Sequence, residues 1–259
     1  MSPGAQGDTN PGSTAFDPVT AARALAEELR AIGNPERAAA ERRYLKSDLE
    51  FFGVGVPDMR RVVTAAVRGT SGLDREAAVA WAAELWREPV HERRMAAVEV
   101  LRLARPQLRA DDLATVEALI REARTWALVD SLAGDIAGVL ALGHPSQAWP
   151  RIDGWAGDPD FWVRRSALLA LLPAIRAGQP DLARFGRYAI PMLAEKEFFI
   201  RKAIGWVLRE TSKRDPQWVT AWTAAHAREM SGVTFREATR RLPPATAGHL
   251  RALREAPPR

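Results

Sequence analysis

From residue 19 onward, apolar positions fall three and four apart along almost the whole chain, the spacing of helices with one buried face, and no stretch alternates like a half-buried strand. The pattern predicts helices at 19–32, 35–46, 75–87, 91–103, 112–123, 126–141, 146–156, 160–172, 181–194, 197–212, 216–229 and 234–242. One more, after the loop 52–57, carries Met59, Val62, Val63 and Val67. Gly33-Asn34-Pro35 supplies a stop, an N-cap and a proline at the first helical position, and Asp74 can cap the helix of Trp81 and Leu85. Gly143-His-Pro, Gly157-Asp-Pro, Gly178-Gln-Pro and Asp215-Pro punctuate the rest. Residues 1–17, rich in Gly, Pro, Ser and Thr, predict a disordered tail, and 243–259, with Pro243-Pro244 and Pro257-Pro258, a short loose extension, leaving one helical domain at 18–242.

Three helices share a motif. Residues 92–101, 163–172 and 200–209 each carry a basic pair at their second and third positions, followed by small and aliphatic residues. The first basic residues are Arg93, Arg164 and Arg201, spaced 71 and 37 apart, so the larger interval holds a missing member near residue 129. A period in the mid-thirties with one helical hairpin per repeat predicts an all-α fold, a right-handed α-solenoid of HEAT-like helical hairpin repeats. Adding 37 to Arg93 puts Asp130 in the slot that is basic elsewhere.

Composition narrows the classes of chemistry. The 259 residues suffice for a sizeable core, and the absence of cysteine excludes disulfides, thiolate metal sites and a cysteine nucleophile. The four histidines form no HxxxH or HExxH pair, so neither a metal nor another cofactor is expected. No window approaches the ~18 uninterrupted apolar residues of a membrane span. The N-terminus lacks the basic start and apolar core of a signal peptide, which predicts a cytoplasmic protein. With 37 Lys and Arg against 32 Asp and Glu, the net charge of +5 points only weakly to a polyanionic partner; where the arginines sit matters more.

On the helix at 126–141 the stripe Leu128, Val129, Leu132, Ile136, Val139 and Leu140 faces the core, leaving Trp126 and Asp130, four apart, on another side. Alone, such a pair reads as a half-exposed tryptophan beside a solvated acid. The helix at 197–212 repeats the arrangement: Ile200, Ala203, Ile204, Val207 and Leu208 form its core stripe, while Lys202, Trp206 and Arg209 stand off it. Trp162 and Arg165 lie three apart on the helix before. Trp81, Trp86, Trp149, Trp155, Trp218 and Trp222 are expected to pack between repeats. Aromatics interleaved with Arg and Lys on equivalent helices, with one carboxylate among them, suit a surface that contacts phosphates and holds a cation on aromatic faces.

Arg43-Tyr44-Leu45-Lys46 with 51–57, Trp126-Ala-Leu-Val-Asp130-Ser131, Trp162-Val-Arg-Arg165 and above all the run 196–210 resemble the AlkD-type DNA alkylation repair glycosylases, in consistent order from about 19 to 242. The resemblance implies a HEAT-like solenoid with a basic concave DNA-binding surface, and excision of cationic N3- or N7-alkylated purines from duplex DNA. It implies Asp130 as the catalytic carboxylate, Trp126 and Trp206 as lesion-flanking aromatics and Arg165 as a phosphate-binding residue beside them. Tyr44, Arg209 and Lys202 are further DNA-contact candidates. The lesion would be held on an open surface, not flipped into a pocket. The chain departs from the family at Thr125 and Ala127, where many members carry a second Trp and a polar or acidic residue, which bears on lesion preference.

An alkylated purine is a cation and already a good leaving group, so hydrolysis needs no general acid. Charge moves to the sugar, and a fixed carboxylate can stabilise it and orient or deprotonate water. No lysine is placed for a Schiff base beside Asp130, which predicts a monofunctional glycosylase without lyase activity, acting as a monomer on alkylated double-stranded DNA, nucleoid-associated and free of membranes. Two alternatives stay open: a DNA-damage-binding solenoid without catalysis, and a protein-binding HEAT scaffold.

Overall fold

The computed structural model describes residues 16–256. Residues 1–15 of the expected disordered tail lie outside it. The helical domain begins slightly earlier than expected, because Phe16 packs tilted against Trp81 (5.4 Å between centroids) and Asp17 caps α1 (Pro18–Ala31), accepting from the Val19 and Thr20 amides. Asn34 caps α2 (Pro35–Leu45) through the Arg37 amide at 2.9 Å, with Pro35 in the first turn. There follow α3 (Val56–Gly69), α4 (Arg75–Arg87), α5 (His91–Ala104), α6 (Leu113–Ala123) and α7 (Trp126–Ser131), then a π-helical turn at Leu132–Ala137 that runs on into α8 (Gly138–Gly143). The second half comprises α9 (Pro145–Trp155), α10 (Phe161–Leu169), α11 (Leu172–Arg176), α12 (Leu182–Met192), α13 (Phe198–Thr211), α14 (Pro216–His226), α15 (Gly232–Thr239) and α16 (Pro244–Glu255). The described residues contain no strand, only an isolated bridge between Glu50 and Val90.

The helices pair as hairpins, and the second members α3, α5, α7, α10, α13 and α15 pack side by side in chain order, so that equivalent helices line one layer. A single apolar core runs through the stack from Leu25 to Leu250, with Trp81, Trp86 and Trp155 inside it and Trp149, Trp218 and Trp222 packed against it as expected. The run Trp126–Gly143 is long and apolar enough by composition to cross a membrane, although Asp130 and Asp135 interrupt it and so keep it from standing out as a continuous apolar window. Leu128, Val129, Leu132, Ile136 and Leu140 are all buried in this core, where a central helix of a helical stack needs them.

Residues 244–255 correct the expected loose extension: α16 packs on α14 and buries Leu250 completely. Pro243-Pro244 reads as a terminator, but a proline in the first turn starts a helix at no cost in hydrogen bonds.

The repeated basic residues have a structural task. Arg93 donates to the Glu84 and Leu85 carbonyls, Arg164 to those of Asp158 and Pro159, and Arg201 to that of Glu195. Each thus seals its own hairpin, Arg93 on carbonyls of the last turn of the preceding helix and Arg164 and Arg201 on carbonyls of the loop that follows it. The loop after α2 is fixed differently. Buried Glu92 accepts the amides of Phe52, Gly53 and Val54 at 2.9, 2.6 and 3.0 Å. Gly53 has φ +80°, and a Cβ there would sit 2.0 Å from the Asn34 carbonyl oxygen, so only glycine lets loop and α2 meet. That clasp holds the start of α2, at Asn34 and Ala38, against the loop.

Candidate nucleic-acid interface

All seven residues singled out by the sequence line one cleft of about 800 Å³: Tyr44, Trp126, Asp130, Arg165, Lys202, Trp206 and Arg209. Tyr44 comes from α2, Trp126 and Asp130 from α7, Arg165 from α10, and Lys202, Trp206 and Arg209 from α13. Because α10 packs between α7 and α13, the acid and Arg165 sit between two aromatic sides. On one side Tyr44, 73% exposed, meets Trp126 edge-on at 6.0 Å and 85°. On the other stands half-buried Trp206, with Phe198 and Phe199 from the first turn of α13.

Asp130 sits one residue away from the slot the repeat frame assigned. Counted from the N-caps Thr125, Asp160 and Glu197, it is the fifth residue, in register with Arg165 and Lys202, whereas the slot of the hairpin-sealing Arg164 and Arg201 is filled by buried Val129. The acid is still alone in a basic row, but the row is the one that faces the cleft.

The structure also changes the part given to Arg165. Its side chain is only 3% exposed, against 17% for that of Asp130. Nε and Nη2 donate to the two Asp130 oxygens at 2.8 and 2.9 Å, and Nη1 to the Phe199 carbonyl at 2.5 Å. A guanidinium so occupied has no face left for a phosphate. Arg165 instead fixes the carboxylate by a bidentate grip, with the Phe199 ring centre 5.7 Å from its Cζ. Asp130 keeps its other lone pairs toward the cleft.

Lys202 and Arg209 share Glu237 of α15, which no pattern in the sequence singled out. Lys202 donates to Oε1 at 2.7 Å and Arg209 to Oε2. Burial would raise the Glu237 pKa, but the Lys202 hydrogen bond and the Arg209 charge outweigh it and hold the carboxyl below the usual glutamate range. Gly205 makes this possible, since a Cβ there would lie 2.5 Å from that of Glu237. Lys202 lines the same cleft as Asp130, its amine tied to Glu237. Trp162, Leu45, Lys46, Arg124 and Thr125 complete the lining. Phe198 and Phe199 were legible as adjacent aromatics opening a helix beside Lys202; Glu237, in a short polar helix, carried no such signal.

The fold and the cleft define a helical-repeat protein that presents a carboxylate between aromatic walls, rimmed by cations. Residues 25–242 match the model of the DNA alkylation repair enzyme family, and the chain belongs to that family. Among solved structures it is similar to one described as a predicted DNA alkylation repair enzyme from Enterococcus faecalis, at 24% identity over 82% of this chain and 97% of that one, with a TM-score of 0.75. It is also similar to AlkD2 from Streptococcus mutans, at 16% identity over 87% and 99%, with a TM-score of 0.60. These likenesses show the fold. No curated protein matches.

Proposed function

We propose that this chain is a DNA glycosylase that hydrolyses the N-glycosidic bond of cationic N3- and N7-alkylated purines in duplex DNA. The observation that carries the reading is the Asp130 carboxylate, gripped from behind by Arg165 and open in front, between Trp126 and Trp206. As the base leaves, positive charge grows on the sugar, and a carboxylate already locked in place stabilises it without reorganising. Its free lone pairs orient the water that completes the hydrolysis. Trp126, Trp206 and Tyr44 flank the cationic nucleotide, and Lys202 and Arg209 lie where the strand's phosphates would pass. Nothing in this scheme needs a protein nucleophile, so the enzyme is monofunctional; Lys202, held by Glu237, forms no Schiff base. The protein acts as a monomer.

Base release from methylated duplex DNA tests the reading. The parent protein releases methylpurines, and Asp130→Asn, which keeps shape and loses charge, slows release roughly 10²–10³-fold, the range seen when one charge-stabilising group is removed. Salt-sensitive duplex binding without release would instead establish the non-catalytic damage binder. Absence of duplex binding at low salt, with Lys202→Glu changing nothing, would point to the protein-binding scaffold. Borohydride trapping on DNA should leave no covalent adduct.

A further inference from the structure

Arg94 is the second residue of its basic pair, as Arg165 is of its own, and it acts alike up to a point. Its Nη1 donates to the Glu122 carbonyl of the next hairpin at 2.8 Å, as Arg165 Nη1 does to that of Phe199. There the likeness ends. Arg165 spends Nε and Nη2 on Asp130, whereas Arg94, only 9% exposed, has no ion pair, and neither its Nε nor its Nη2 has a hydrogen-bond partner among the described residues. The guanidinium carbon lies over the Trp86 ring, 5.0 Å from its centre. Burial pushes its pKa below the ordinary arginine value, and the Glu122 charge opposes this shift. With Glu122 acting only at a distance and Nε unpartnered, this buried guanidinium has donors that an anion in direct contact would satisfy.

Space for that anion exists. Arg94 lines a cavity of about 360 Å³ together with Lys46 and Arg124, which also line the main cleft and thus form the wall between the two. Lys46 and Arg124 end α2 and α6 in left-handed conformation (φ 49° each) and make no ion pair among the described residues. Of the other charged lining groups, Arg121 is taken by Glu117 and Asp158, the Glu122 carboxylate accepts the Trp86 indole N–H, and Asp48 is exposed.

We propose that Arg94, Lys46 and Arg124 form a phosphate-binding site beside the cleft, which takes a backbone phosphate of the DNA strand lying in it. The assignment of the phosphate to DNA rests on the glycosylase reading; the site itself does not. An internal repeat here uses the second arginine of its basic pair in two ways, once to grip the protein's own carboxylate and once to receive a ligand's anion.

The test is binding of undamaged duplex DNA over a salt series, with inorganic phosphate as the second probe. Arg94→Gln and the double variant Lys46→Ala/Arg124→Ala should each flatten the dependence of log K on log salt, by about 0.9 for every phosphate no longer neutralised, with Arg23→Ala on α1 as the comparison. Because Arg94→Gln also removes a tie to α6, its thermal midpoint is measured, and the double variant, confined to exposed residues, carries the result if Arg94→Gln fails to fold. Inorganic phosphate should bind the parent protein and not the variants. Abolished phosphate binding with an unchanged DNA slope keeps the site and gives it to free phosphate. Unchanged phosphate binding and slope in both variants overturn the proposal. Since no base is released in either measurement, an inactive parent protein would sink the glycosylase reading and leave this one standing.

Discussion

Asp130 and Glu237 are both carboxylates beside the same cleft, each 35 residues along the chain from a cation it bonds, yet they are built for different work. Asp130 meets one cation, Arg165, which is buried and approaches from behind, so that the acid lines the cleft. Glu237 meets two, Lys202 and Arg209, which themselves line the cleft, and it is not part of that lining. One cation from the protein side aims a carboxylate at a ligand; two from the ligand side quench it. Asp130 is therefore placed to act on charge in the cleft, and Glu237 to set how much positive charge the cleft's rim presents.

The contrast between the two acids has consequences of graded size. The largest concerns chemistry: Asp130→Asn should cost roughly 10²–10³-fold in methylpurine release, while Glu237→Gln changes the chemical step by less than ~10-fold under single-turnover conditions. Equal losses would erase the distinction. Next come the walls. Trp126→Ala and Trp206→Ala should each slow release of a cationic lesion by roughly 2- to 30-fold, equivalent to about 0.5–2 kcal/mol of cation–π attraction, whereas Trp222→Ala leaves it unchanged. A smaller effect falls on binding: Glu237→Gln frees Lys202 and Arg209 for phosphates, so the salt dependence of duplex binding should steepen by up to ~0.9 per cation released. A shallower slope would mean that Glu237 is needed to hold them in place.

The smallest effect is on acid stability. The Glu237 pKa is held below its unfolded value, so its contribution is complete above about pH 4.3 and is lost as pH falls through the lower, folded value. Acid unfolding followed by circular dichroism should show Glu237→Gln with a weaker pH dependence below that point, the two proteins becoming more alike as pH falls.

The sequence revealed most of the fold because helical periodicity and caps are local: Asn34, Asp74 and Asp215 each cap the helix they were expected to open. All seven site residues proved to share a cleft because a repeat carries position along the helix into position on the layer. What it hid depends on packing between repeats. The hairpin-sealing role of Arg93, Arg164 and Arg201 looked like a ligand-facing slot and shifted the frame by one. The grip of Arg165 on Asp130 needs the stacking of α7 on α10, which no spacing within one helix reports. The π-helical turn at Leu132–Ala137 leaves no residue signature, and α16 was hidden by a proline that reads as an end and serves as a beginning.

If a fixed carboxylate in an aromatic cleft cleaves the glycosidic bond of a cationic purine, single-turnover release of 7-methylguanine from a methylated duplex, by the parent protein and by Asp130→Asn, will register it. The parent should release the base, and the variant should be slower by roughly 10²–10³-fold at unchanged duplex affinity. Release by both at the same rate, or by neither, would contradict the assignment of Asp130.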